Sequence, residues 1–381
     1  MRIGMPKEIH PNEYRAGLLP AGIAELREHG HEVLVERGAA SGAGWADDDY
    51  ARMGAEIVED AAALYGRADL LVKVMAPKPE EWPHLHPRHV LFCFLHLTAE
   101  PALTAALLNS GCAAIGYEAV RHPQGSLPLM VSTSEVAGRM AVHAAAQCLE
   151  RHLGGSGILL GGVVGVPGAK VVILGGGVAG SNAARAAIGM GARVTIMDRS
   201  LSRLDELDIR FGQSIRTVFS TRQSIEAEVA SADVVIGAVL VPGGGSPKLV
   251  SRETVRRMKP GSVIVDLAID HGGCFETSRP TTHAEPTYIV DGIVHYCVTN
   301  VTSVVSQTST TALCHATLPY VLMLAGLGWR EALRRDPGLR EGLLLYRQKV
   351  TSRAIAEAWE LPCTPPETLL EPAPEPTEAG A

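Results

Sequence analysis

Arg15, His96 and Asp270 are residue types that hold carboxylates and move protons, and each falls where a strand of an α/β sheet should end. His96 closes the apolar run Leu91-Phe-Cys-Phe-Leu95, Asp270 follows VIVDLAI, and Arg15 lies in the loop after a first strand at Arg2 to Met5. Imidazole and carboxylate together make an acid–base pair. A guanidinium grips a substrate carboxylate through two parallel N–H bonds. Each residue alone has a plainer reading: a structural histidine, a helix N-cap, a solvated loop charge. Ligands of open α/β sheets lie outside the carboxyl ends of the strands, and that rule places all three on one sheet edge. It adds Lys73, in another strand ending, and Asn300, which follows Tyr296-Cys-Val-Thr.

The stretch from Ala169 to Asp198 supplies a partner for such groups. Val171–Leu174 is short and apolar, as a buried parallel strand is. It breaks into Gly175-Gly-Gly177-Val178-Ala179-Gly180, which fits G-x-G-x-x-G, and leads into a small-residue helix and a second strand ending on Asp198. Gly175 allows the tight turn, Gly177 lets backbone approach a pyrophosphate, and Gly180 lets helix pack on strand. The helix N-terminus offers unpaired N–H groups to phosphates. Asp198 stands where a carboxylate bonds a ribose 2′-OH and repels a 2′-phosphate, which favours NAD over NADP despite Arg199 and Arg203.

The elements around these residues alternate strand and helix, which predicts largely parallel sheets. A long helix is expected from Ser134 to His152 with Ser134 as N-cap, a loop or lid over Gly154–Gly168, and closing helices at Thr311–Leu324 and Leu339–Trp359. The Pro/Glu-rich end predicts disorder. At 381 residues and 46% hydrophobic content, two domains are favoured over one. A net charge of −7 with no basic run argues against nucleic acid or anionic membranes as partners. No apolar stretch reads as long enough to span a bilayer, and the N-terminus does not read as a signal peptide. Seven scattered cysteines without C-x-x-C read as reduced core residues of a cytoplasmic protein, and no metal-ligand spacing occurs.

Six blocks carry a resemblance to a known family: MPKEIHPNEYR, LFCFLHLTAEPALTAALL, STSEVAGRMA, VVILGGGVAGSNAARAAIGMGARVTIMD, VIGAVLVPG and MKPGSVIVDLAIDHGGCFETSRPTTH. Over about residues 1–360 the chain resembles the alanine dehydrogenase family, related to pyridine nucleotide transhydrogenase subunits. The resemblance implies a two-domain α/β fold, with a central Rossmann domain on a doubly wound parallel sheet and a substrate domain made from both chain ends. The boundaries expected are 1–128 and 305–362 for the substrate domain, 129–304 for the NAD domain, and a disordered tail at 363–381. It also implies a homohexamer, and an amino acid or 2-oxo acid as the small-molecule substrate. By the same resemblance, Arg15 binds the substrate carboxylate and His96 and Asp270 are catalytic. NAD contacts fall on Ser134, the glycine turn, Asp198, Arg203, Ser220, Val239, Leu240, Ile269, Asp270 and Asn300.

The chain departs from the family where the chemistry happens. The family's V-K-E-P lysine, beside the arginine, is replaced by Met75 in Val74-Met75-Ala76-Pro77. Lys73 stands two residues earlier, about 6–7 Å back along an extended chain, and cannot simply substitute. Thr133 and Val301 take positions that are methionine in typical members, and Gln307 takes the place of a basic residue. The expectation is an NAD-dependent dehydrogenase of an L-amino acid other than plain alanine, yielding an imine, then a 2-oxo acid and ammonia. Two alternatives stay open: a redox-neutral NAD enzyme working through a transient imine, and a non-catalytic NAD-binding protein.

Overall fold

The computed structural model describes residues 1–239 and 245–370. They form two compact units, Met1–Ser132 with the chain from Ser303 onward, and Thr133–Thr302.

The first unit opens with six strands: β1 (Arg2–Met5), β2 (Glu32–Glu36), β3 (Glu56–Val58), β4 (Leu70–Val72), β5 (Val90–Cys93) and β6 (Ala113–Gly116). Most of their residues are buried, because helices cover both faces of a parallel sheet. The second unit supplies β7 (Lys170–Leu174), β8 (Arg193–Asp198), β9 (Ile215–Phe219), β10 (Val234–Gly237), β11 (Val263–Asp266), β12 (Thr287–Val290) and β13 (Ile293–Tyr296). The chain then returns to the first unit for β14 (Leu343–Tyr346) and β15 (Lys349–Val350).

Both sheets are doubly wound. The first runs β15-β14-β6-β5-β4-β1-β2-β3 and the second β12-β13-β11-β10-β7-β8-β9. All pairings are parallel except those of β14 with β6, β15 with β14, and β12 with β13, which form antiparallel edges. Strand order reverses beside β1 and β4 in one unit and beside β7 and β10 in the other. Those are the switch points at which such sheets bind ligands.

Several expectations need correction. The helix expected at Ser134 begins at Pro128 and ends at Cys148. Proline at its first position needs no N–H partner there, and Ser134 is an interior residue, not the N-cap. The helix expected over Leu339–Trp359 is Pro337–Glu341, then β14 and β15, then Arg353–Trp359. Leu343 and Leu345 pair with β6, and Arg347 and Gln348 take positive φ (45° and 62°) to close a hairpin. Tertiary pairing overrides the helix preference of the leucines. Within the supposed tail, Pro366–Leu370 is helical and Leu370 is buried.

The stretch Ser303–Leu327 is one apolar helix long enough to cross a membrane by length and composition, contrary to the sequence reading. Its buried Leu313, Thr317, Val321 and Leu324 recur at helical spacing, and the leucines and valine belong to the first unit's core.

Candidate functional site

In the first unit the switch point is flanked by the loop after β1, which carries Arg15, and the turn after β4, which carries Met75. Arg15 is 2% exposed. Its Nε and Nη2 donate to the two oxygens of Glu13 at 2.8 and 2.6 Å, and its backbone N–H donates to the same carboxylate at 2.9 Å. The guanidinium is thereby held in one plane, and Nη2 also lies 3.8 Å from the Met75 thioether sulfur. Gly17 brings this loop against β4: a Cβ there would sit 2.5 Å from the Val72 carbonyl oxygen.

Lys73 does not take the place of a lysine at 75. Its ammonium is fully buried, 2.9 Å from Glu81 Oε1 and 3.4 Å from Glu8 Oε2. Glu81 also accepts from the Tyr65 hydroxyl at 2.8 Å. Glu8 Oε1 accepts from the backbone N–H of Val74 at 2.7 Å and of Met75 at 3.4 Å, so this carboxylate fixes the turn that carries Met75. Burial pushes Glu8 up to about 7 against the pull of Lys73, with Glu13 and Glu81 adding repulsion. The Lys73 ammonium, despite its desolvation, is held above its ordinary range by the two carboxylates.

His96 follows β5 with φ 49°, a left-handed conformation unusual for a non-glycine residue. Its ring stacks on Phe94, centroids 5.8 Å apart and planes 7° off parallel. The backbone N–H of His96 donates to Glu118 Oε1 at 2.8 Å.

In the second unit Gly175 adopts φ 100°, and a Cβ there would lie 2.6 Å from the Ala238 oxygen. Gly177 is the N-cap of the helix Val178–Gly189, and a Cβ on it would meet nothing within 4 Å. That leaves open space before the free N–H groups of the helix. A Cβ at Gly180 would lie 1.9 Å from the Gly175 oxygen, so only glycine allows this packing. Gly138 makes a similar approach from the helix Pro128–Cys148, since its Cβ would lie 2.1 Å from the Ala179 oxygen.

Asp198 ends β8. It accepts from Gly176 N–H at 2.8 Å and Ser200 N–H at 2.9 Å, which leaves part of its four-site acceptor capacity for ribose hydroxyls. Arg203 pairs with Glu206 on its own helix at 2.6 Å. Ser220 follows β9, bonded through its N–H to the Asp198 carbonyl at 2.9 Å. Val239 follows β10, its Cγ2 3.1 Å from the position of a Cβ on Gly175. Leu240 lies outside the described residues. Gap, helix end and acceptor together fit a dinucleotide.

Ile269 is buried and Asp270 exposed in the 3-10 turn after β11. Asp266 organises that loop. Its oxygens accept from Ala268 N–H (3.0 Å), Cys274 N–H (2.9 Å) and the Ser278 hydroxyl (2.6 Å). Asn300 has φ 51°, and its carbonyl lies 3.4 Å from His283 Nε2. Val301 is buried, while Thr133 and Ser134 are half-buried on the helix Pro128–Cys148. No cluster of three or more metal-ligating side chains occurs among the described residues.

Sequence reasoning missed the holding groups Glu8, Glu13, Glu118 and Asp266, and Gly138. Acids placed at or just beyond strand ends were the available signal.

The model of the alanine dehydrogenase/PNT N-terminal domain matches residues 4–137, and that of the C-terminal domain matches residues 141–353. This chain belongs to the alanine dehydrogenase/PNT family. It is 52% identical to the alanine dehydrogenase of Halomonas elongata, over 95% of this chain and 97% of that one. Identity to the alanine dehydrogenase of Mycobacterium tuberculosis is 49%, over 97% and 100%. A solved L-alanine dehydrogenase superposes with a TM-score of 0.91 at 46% identity, covering 94% of this chain and 99% of that chain. The transhydrogenase from Sinorhizobium meliloti gives 0.78 at 25%, covering 93% and 100%. This member of the alanine dehydrogenase/PNT family is accordingly an NAD-dependent amino-acid dehydrogenase, an oxidoreductase acting on the CH–NH2 group.

Proposed function

We propose that this enzyme oxidises an L-amino acid other than plain alanine to its 2-oxo acid and ammonia. The observation that carries the proposal is the Met75 thioether, 3.8 Å from Arg15 Nη2 where the family places a lysine ammonium, with Lys73 committed to Glu8 and Glu81. A cation lost from a desolvated carboxylate site weakens binding by about 2–5 kcal/mol. Met75 replaces it with an apolar, flexible side chain, which suits a substrate that contributes apolar surface of its own.

In the proposed mechanism Arg15, fixed by Glu13, binds the substrate carboxylate. The glycine turn and Asp198 would hold NAD, which would supply the hydride acceptor for oxidation at the α-carbon. His96 and Asp270 serve as the acid–base pair that takes the amine proton, delivers water to the imine carbon and protonates departing ammonia. Thr133, Asn300 and Val301 shape the side-chain pocket, and Ser134, Ser220, Val239 and Ile269 contact the cofactor. The enzyme is proposed to work in the cytoplasm as a homohexamer.

Met75→Lys tests the pocket. It should raise kcat/KM for L-alanine by about tenfold or more, as restoring a paired cation predicts. An unchanged or lower value contradicts this account of position 75.

A further inference from the structure

His96 lies beyond the end of β5, and its conformation is one that a strand end does not require. A side-chain-bearing residue with φ near 50° is disfavoured by contact between Cβ and the backbone, so the surroundings must impose it. The chain on its carboxyl side is caught by the Leu97 carbonyl, which accepts from Trp359 Nε1 at 2.8 Å and from the Thr104 hydroxyl at 3.2 Å. On its amino side the hold comes from Glu118. Oε1 of Glu118 accepts from His96 N–H at 2.8 Å, and its two oxygens accept from Leu95 N–H at 3.3 and 3.2 Å.

The path of that carboxylate is also built. Glu118 sits in the turn Tyr117–Ala119 that ends β6, the neighbour of β5, and its carboxyl group crosses over Gly116. A Cβ on Gly116 would lie 3.1 Å from both Cδ and Oε1 of Glu118, and 2.6 Å from Leu344 Cδ1. Glycine therefore leaves the room in which the carboxylate lies. Bonds from backbone N–H groups to an ionised acceptor are stronger than bonds between neutral groups.

We propose that Glu118 is a positioning residue for His96: its carboxylate, lying across Gly116, holds the Leu95–His96 backbone in the left-handed turn that aims the imidazole. The proposal rests on the reading of His96 as a proton-carrying group. Glu118 itself touches backbone and acts through His96.

The test compares Glu118→Ala with Glu118→Gln, whose amide oxygen still accepts from both N–H groups. Three readouts apply: steady-state kinetics, NAD binding, and a crystal structure of Glu118→Ala. Assays use the amino acid that gives the fastest NADH formation, and L-alanine in a Met75→Lys background. Glu118→Ala should lower kcat by about tenfold to a hundredfold, the scale of a small misplacement of a reacting group. Its KM and dissociation constant for NAD should stay at wild-type values. Glu118→Gln should recover kcat to within about threefold of wild type, as expected when the acceptor is kept. In the crystal, His96 of Glu118→Ala should leave the left-handed region.

Wild-type kcat in Glu118→Ala, or an unmoved His96, overturns the proposal. So does a loss that Glu118→Gln fails to relieve and that comes with weaker NAD binding, since that marks a general structural role. Absence of turnover with every amino acid defeats the proposed substrate class instead, and the φ of His96 then decides the matter alone.

Discussion

Carboxylates recur behind the proposed site residues of the first unit. Glu13 holds the Arg15 guanidinium, Glu8 the turn of Met75, and Glu118 the turn of His96. Glu8 is the least comfortable, because one buried ammonium, Lys73, serves both it and Glu81. With its carboxyl raised from an ordinary 4.5 to about 7 by burial, the folded protein binds a proton there that the unfolded chain releases. Glu8 therefore contributes stability that is full below about pH 4.5 and lost as pH rises through about 7. His89 works in the opposite sense. Burial lowers it to about 4, so its contribution is present above its ordinary 6.5 and lost as pH falls towards 4. Subtracting the stability–pH curve of Glu8→Gln from that of the wild type cancels His89. The difference should show wild-type stability falling between about pH 4.5 and 7, by chemical denaturation at each pH. A flat difference would show that Glu8 stays ionised throughout.

Elements differ in how far the sequence alone determines them. The turn from Gly175 to Gly180 is legible because Gly175 and Gly180 answer local steric demands, and the structure returns those two demands as distances. Gly180→Ala should accordingly destabilise the NAD unit by about 1–3 kcal/mol, as overpacking does. NAD affinity should fall with it; a variant with wild-type Tm and NAD affinity would contradict the 1.9 Å approach to Gly175. Strand β14 was not legible. Leu343-Leu-Leu-Tyr346 has no period of its own, and its strand state comes from pairing with β6, more than two hundred residues earlier in the chain. The holding carboxylates were hidden for the same reason. Glu8, Glu118 and Asp266 act on backbone N–H groups that only the folded loops bring to them. The last described turn, Pro366–Leu370, is likewise set by tertiary contacts, since Arg330 and Arg334 bond the carbonyls of Leu369 and Leu370.

At the scale of the whole molecule, two doubly wound sheets each carry their proposed site residues at the carboxyl ends of their strands. Fold and cofactor could be reached from alternating elements and a glycine turn, but the single sheet edge expected for Arg15, His96 and Asp270 is not what the structure shows: Arg15 and His96 follow strands of the first sheet, and Asp270 follows β11 of the second. The substrate side chain could not be reached, because no motif specifies the residues that would line its pocket. Cysteine burial gives a global check. Six thiols are buried and only Cys363 is exposed. A thiol reagent should therefore titrate one group in the native protein and seven after unfolding. Several fast-reacting thiols in the native state would contradict the packing described.

The most direct measurement is NADH formation by the purified protein with NAD and a panel of L-amino acids, alanine included. The account predicts strong turnover with one amino acid whose side chain is larger than alanine's methyl group, and weak turnover with alanine itself. Alanine oxidised best would contradict the assignment of Met75. Silence across the panel with NAD bound would contradict the dehydrogenase reaction proposed for this site and favour redox-neutral chemistry.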